Sequence, residues 1–240
     1  MLDIQERRRR CRELIDRYYG DLPTREDVLH AAVMQLIKPS DVLLDAGCGS
    51  TVPLLARYGP RTRTALGIDV CPLPPPPTGT YLASANLEAL PLRAESVDLI
   101  VSRSVVEHLE RPRETFAEFA RVLRPEGHIV FTTPNLYYYS CFFAAVTPPY
   151  LKRWYFKKVF GEDAYDHFPV QYRANTRGAL GRIAAKTGLR VDRAETTAHY
   201  PFYLMFSPLL FRLGVAYDMA VEAFHLYWLR SSWLVVMRKG

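Results

Sequence analysis

What most constrains this chain is an alternation. Between residues 24 and 134, short uninterrupted apolar runs change places with stretches of helical periodicity. The runs are Val42–Leu44 in DVLLDAGCGS, TALGIDV with Asp69 at its end, TYLAS at 80–84, VDLIVS at 97–102 and HIVFTT before Pro134. Runs that are apolar throughout, rather than at every second residue, belong to strands buried on both faces, as in a parallel sheet. Helices must then cover both faces through right-handed crossovers, which predicts an α/β, doubly wound, Rossmann-like sheet. The helices themselves are legible. One spans 4–19 and stops at Gly20. A second opens at Thr24, with Glu26 and Asp27 in its first turn, and runs to Leu36. A third lies around 113–123 and carries Phe116, Phe119 and Ala120 on one face. CPLPPPPTG, between the second and third strands, must be a loop.

Composition narrows the class. The chain has 240 residues, 49% hydrophobic and 23% charged, which excludes disorder and suffices for one large domain, 1–240, without disulfides. Cys11, Cys48, Cys71 and Cys141 are scattered, with no metal-ligand spacing, so a reduced cytoplasmic protein is expected. MLDIQERRRR has no apolar stretch behind it, and no run of 18 apolar residues exists, so neither a signal peptide nor a spanning helix is expected. The net charge of +6 permits an anionic partner without demanding one.

The texture changes after Asn135. Within an N-terminal helical part (1–38) and a core (39–135), polar and apolar residues are balanced, but 136–175 and about 200–229 are rich in Tyr, Phe, Trp and Pro. Both read as aromatic cap insertions on the sheet scaffold. Between them TRGALGRIAAKTG is a helix with Gly188 as its C-cap, and Asn175 or Thr176 as its N-cap. Leu189–Val191 begins a sixth strand, and SSWLVVMRKG closes the 176–240 part as a last strand.

The strand ends carry the chemistry, because an open α/β sheet binds ligands there. Gly47 and Gly49 allow close backbone approach after the first strand. Asp69 ends the second, where a carboxylate can take both hydroxyls of a ribose. A nicotinamide site would favour G-x-G-x-x-G, but the string is GCGSTV, with Val52 third. Asp45, just before the glycines, would repel a pyrophosphate and suits a cationic ligand such as an amino group or a sulfonium.

VLLDAGCGS, GIDV, NLEALPL, VDLIVSRSVVEHL and VLRPEGHIVFTTPN, in this order and spacing, resemble the successive motifs of class I S-adenosylmethionine-dependent methyltransferases, of the small-molecule, type 11-like kind. The resemblance is close over about 40–135 and loose over 176–240. It implies a seven-stranded sheet whose last strand is antiparallel, with S-adenosyl-L-methionine as cofactor. It implies further that Asp45, Gly47, Cys48 and Gly49 cradle the methionine part, that Asp69 holds the ribose, and that Val70, Asn86 and Leu87 meet the adenine. Ser102 and Arg103 follow the fourth strand, facing the reacting methyl group. The family often has glycine at Thr51, where Thr51 could instead cap the next helix.

A hydroxyl acceptor would gain from a general base. His108 is one such residue and His167, in YDHFP, another; each has a purely structural reading beside it. Glu107 and His108 could be two metal ligands, but no third is apparent, so no metal is expected. Tyr172 and Arg173 in QYRANT face the substrate on this reading, and Tyr18 and Tyr19 close over the cofactor or serve the core. The expected activity is methyl transfer to a hydroxyl of a small apolar or amphipathic, lipid-linked or free, metabolite. A nucleic-acid methyltransferase is the disfavoured alternative: Arg7–Arg10 favour it, but TPPY at 147–150 follows the fifth strand and not the fourth. A cofactor- or membrane-binding protein without catalysis is the other. LKRWYFKKVF and the apolar 201–229 stretch admit peripheral contact with the inner membrane surface.

Overall fold

A computed structural model describes residues 4–148, 150, 151, 153 and 169–240. Seven strands form one sheet: β1 Val42–Ala46, β2 Thr64–Asp69, β3 Thr80–Ser84, β4 Val97–Arg103, β5 Leu123–Pro134, β6 Leu189–Thr197 and β7 Ser232–Lys239. Their order across the sheet is β3-β2-β1-β4-β5-β7-β6, with the last strand, β7, antiparallel. β1 pairs in parallel with both β2 and β4, so the crossovers reverse direction between β1 and β4. That reversal opens a crevice at the carboxyl ends of the two strands.

The helices are α1 Ile4–Tyr19, α2 Arg25–Leu36, α3 Pro53–Tyr58, α4 Pro112–Val122, α5 Tyr139–Val146, α6 Arg177–Thr187 and α7 Pro208–Ala223. Thr176 is the N-cap of α6, its Oγ1 accepting the Ala179 N–H at 3.2 Å, and Gly188 closes it in the left-handed conformation, φ 72°.

The chain divides into two compact units. The sheet unit comprises 27–133, 170–195 and 233–240; the aromatic unit comprises 1–26, 134–169 and 196–232. The expected single domain thus has two parts, and the aromatic insertions fall in one of them together with the N-terminal helix.

Period-two alternation builds the sheet unit. Leu44 and Ala46 enter a cluster with Phe116 and Phe119 of α4 and Leu180 of α6. Leu43 points the other way, into a cluster with Leu29 and Val33 of α2 and Leu55 of α3. β7 splits likewise, with Val235 on one side and Val236 on the other. Each fully buried Leu, Val or Phe among them contributes about 1.5–3 kcal/mol.

The aromatic unit has a smaller core of its own. Cys11 and Tyr19 of α1 pack with Phe211 and Val215 of α7. The rings of Tyr138 and Tyr139 lie 4.5 Å apart, and Tyr139 meets Tyr217 of α7 edge-on at 4.9 Å. Ser207 caps α7 by accepting the Leu210 N–H. Of LKRWYFKKVF, only Leu151 and Arg153 lie within the described residues, and His167 lies outside them.

Candidate functional site

The loop after β1 is built for close approach. Gly47 has φ 80°, and a Cβ there would lie 2.2 Å from Val105 Cγ2. Gly49 has φ 66° and nothing within 4 Å of where a Cβ would stand. Glycine is therefore required at Gly47 by sterics and by backbone, and at Gly49 by backbone alone, which leaves open space beside the chain. The expected Thr51 cap does not form: the N-cap of α3 is Val52, which makes no side-chain cap bond and sits in the left-handed region at φ 43°. A β-branched residue there stores strain. Pro53 at the first helical position needs no capped N–H, so the loop turns into α3 without a hydroxyl.

Asp45 stands at the end of this strand, opposite Gly67 of β2 and Val101 of β4. It is 1% exposed, and neither carboxylate oxygen has a hydrogen-bond partner. A buried charge without a partner costs several kcal/mol by the usual reckoning, so it is kept for a purpose or neutralised. Burial pushes its carboxyl up to about 7, against the pull of the Arg103 guanidinium and helped by the nearby Asp69 carboxylate.

Asp69 is the opposite case. Its Oδ2 accepts the Gly49 N–H at 2.8 Å and its Oδ1 the Cys71 N–H at 2.9 Å. The carboxylate thereby ties the two loops together and is oriented before any ligand arrives, with lone pairs left on both oxygens. Val70 beside it is 55% exposed, an apolar surface at the rim. Asn86 Oδ1 accepts the Glu88 N–H at 3.0 Å, which fixes its amide.

Other expected residues are turned elsewhere. The Cys48 thiol is buried in the cluster under α2 and α3, and burial, with Asp45 and Asp69 adding to it, pushes it up to about 12. Leu87 is 7% exposed and packs into the α4 side of the core. Ser102 and Arg103 end β4 rather than follow it. The Ser102 hydroxyl donates to the Ala46 carbonyl at 2.8 Å, bracing β1 against β4 from inside, while Arg103 acts on Asp45 through its charge. His108 closes a 3-10 turn, Val106–His108, on the loop after β4. Glu107 beside it is buried and accepts the Thr133 hydroxyl at 3.3 Å, and Asn175 donates to that hydroxyl at 2.8 Å. The Glu107 carbonyl accepts the N–H groups of Gln171 and Tyr172, and Arg173 donates to the Glu110 carbonyl. Tyr172, at φ 53°, and Arg173 thus pin the 171–175 segment to the loop that carries His108. Among the described residues, no group of three or more His, Cys, Asp or Glu could hold a metal ion.

Sequence reasoning missed one buried acid and the apolar pocket it borders. In the aromatic unit, a pocket of about 410 Å³ is lined by Tyr18, Tyr19, Val215, Met219 and Asp218, among others. Tyr19 donates to Asp218 Oδ2 at 2.5 Å. Burial pushes the Asp218 carboxyl up to about 7, and the tyrosine bond holds it lower than burial alone would. Asp218 reads in sequence as one charge interrupting an apolar helix; only the fold brings Tyr19 to it across 199 positions.

A family model described as a methyltransferase domain matches residues 44–131. A malonyl-[acyl-carrier protein] O-methyltransferase of Methylococcus capsulatus is 36% identical over 115 residues, 44% of this chain and 42% of that protein. The chain spans about two fifths of the length of the first curated relatives it matches. An S-adenosylmethionine-dependent methyltransferase structure from Mesorhizobium loti superposes with TM-score 0.57 over 88% of this chain and 96% of that one, at 18% identity. The [4+2]-cyclase SpnF superposes with TM-score 0.56 over 88% and 79%, at 14% identity. At such identities the superpositions establish the fold alone, and the second shows that it serves other chemistry too. Five motifs in order, the reversed sheet order and the matching domain model agree: residues 44–131 form a methyltransferase domain, set in a Rossmann-like class I methyltransferase fold.

Proposed function

We propose that this chain transfers a methyl group from S-adenosyl-L-methionine to an oxygen of a small apolar or amphipathic acceptor. One observation carries the reading: a fully buried carboxylate without a partner, Asp45, beside two left-handed glycines. An ammonium group would supply the missing partner, whereas a pyrophosphate would be repelled. The residues therefore fit an amino-acid-bearing nucleoside and not a dinucleotide.

S-adenosylmethionine, when bound, supplies a methyl group activated on a sulfonium. The chain binds and orients. Asp45 takes the ammonium, and Gly47 and Gly49 let backbone approach. Asp69, held by two N–H groups, takes ribose hydroxyls without reorganising. Val70 and Asn86 border the adenine. Arg103 keeps part of the negative charge of Asp45 in balance. His108 and His167 remain the residues to test as bases, each by alanine replacement and the ratio of kcat to cofactor affinity.

The family model ends at residue 131, before most of the aromatic unit, so the acceptor does not follow from it. The apolar pocket of that unit supports an apolar or amphipathic acceptor. The relatives named O-methyltransferases support oxygen as the atom. A reducing cytoplasmic setting is part of the proposal, with the inner membrane surface as the place where an amphipathic acceptor would be met. A nucleic-acid acceptor lacks a comparable observation.

Calorimetric titration with S-adenosylmethionine and S-adenosylhomocysteine, with NAD as control, tests the reading. Micromolar binding that Asp69→Ala loses is expected. Binding of NAD instead, or none at all, would overturn it.

A further inference from the structure

We infer that the aromatic unit docks on an anionic lipid surface through the exposed sides of α5 and α7. The decisive element is α7. Phe211, Val215 and Val221 of this helix are buried, which accounts for one side. On the other, Leu209, Leu213, Ala216, Ala220 and Ala223 are all exposed at helical spacing, Leu209 to 68% and Leu213 to 60%. A helix apolar on both sides is normally covered on both. This one has a side facing solvent.

α5 repeats the arrangement. Its Cys141 is buried, while Phe142, Phe143 and Val146 are 53%, 61% and 63% exposed. Phe224 and Trp228, just past α7, are 74% and 55% exposed. Aromatic residues with polar tips, such as Tyr150, Tyr227 and Trp228, suit the headgroup level of a bilayer.

Charge selects the occupant. The exposed positions of α7 include a single charged residue, Arg212, and Arg153 is exposed beyond α5. The acids of α7, Asp218 and Glu222, are engaged by Tyr19 and Arg230. A two-fold dimer would set this face against its own copy, bringing Arg212 towards its equivalent with no exposed acid of α7 between them. Anionic headgroups complement the same arginines. At 16 residues α7 is about 24 Å long, short of a hydrocarbon core, and no described helix is long and apolar enough to cross a membrane. The helix would lie in the interfacial plane.

The test is co-sedimentation of the full chain with vesicles of phosphatidylcholine alone and of phosphatidylcholine mixed with phosphatidylglycerol. The expected result is partition onto the anionic vesicles, reduced at least tenfold in Leu209→Ser/Leu213→Ser and in Phe142→Ser/Phe143→Ser. Arg212→Glu should reduce it on anionic vesicles. Tyr81→Ser, in the sheet unit, should leave it unchanged. Circular dichroism checks that each variant is folded. Vesicle binding does not depend on the cofactor site, so a failed cofactor titration leaves this result standing. Absence of partition by the parent chain, or partition unaltered by both double variants, would overturn the inference. So would light scattering that shows a dimer which the α7 variant dissociates.

Discussion

The two units bury their apolar residues to very different extents. Of 21 exposed large hydrophobic side chains among the described residues, 18 belong to the aromatic unit and three, Met34, Val70 and Tyr81, to the sheet unit. A sheet covered by helices on both faces leaves little apolar surface over, here one residue on a covering helix, Met34, one on the edge strand, Tyr81, and Val70 beside Asp69. The aromatic unit, with a core of few residues, leaves its helices half covered. A pair of acids sharpens the contrast. Asp45 and Asp218 are both pushed up to about 7 by burial, but Asp218 has a tyrosine for a partner and Asp45 has none. On the function proposed above, the satisfied acid belongs to the architecture and the unsatisfied one is kept for the cofactor.

Experiments can break that contrast in order of expected effect. Asp45→Asn should weaken S-adenosylhomocysteine binding about a hundredfold by calorimetry, the loss of a charge-assisted contact. The same variant should stabilise the unliganded protein at pH 8 by up to about 4 kcal/mol, since it removes a raised acid. The sign is set by the folded carboxyl lying above its unfolded value. Its contribution is full below about pH 4 and is lost as pH rises through 7. Denaturant midpoints of the parent chain should therefore fall over that window, and the Asn variant should fall less.

Gly47→Ala should cost about 3 kcal/mol through left-handed strain and the Val105 clash together. Gly49→Ala, with strain but open space, should cost about 1–2 kcal/mol, so the two melting temperatures separate sterics from backbone. Tyr19→Phe should cost about 1–2 kcal/mol by removing the Tyr19 hydroxyl from Asp218, read as a lower melting temperature. Ser102→Ala should cost about 1 kcal/mol and leave cofactor affinity unchanged, because its hydroxyl serves the Ala46 carbonyl.

What could be read in advance follows from range. The strands β1 to β5, the caps of α6 and the left-handed turn at Gly47 depend on a few neighbouring residues, so local pattern sufficed. Ser102 and Cys48 are different. Both sit in motif positions, yet which way each points depends on strand register and on what packs behind it. Val52 takes the left-handed turn that glycine would be expected to take, although the Pro53 behind it favours an extended residue there, so the turn is imposed by the fold and not by local preference. The Tyr19–Asp218 bond joins residues no local rule connects. His167 falls outside the described residues, so its role rests on sequence alone.

The position of β7 has a consequence for synthesis. This strand, residues 232–239, lies between β5 and β6, both made earlier. Until it arrives, β5 presents an unpaired edge, β6 lacks the one strand it pairs with, and the hydrophobic cluster lacks Val235 and Met237. The aromatic unit is likewise assembled from three separated stretches, the last ending at Ser232. A nascent chain stalled before residue 232 therefore holds a sheet open at β5 and a sixth strand with nothing to pair with, the state that holding chaperones recognise and that aggregation exploits.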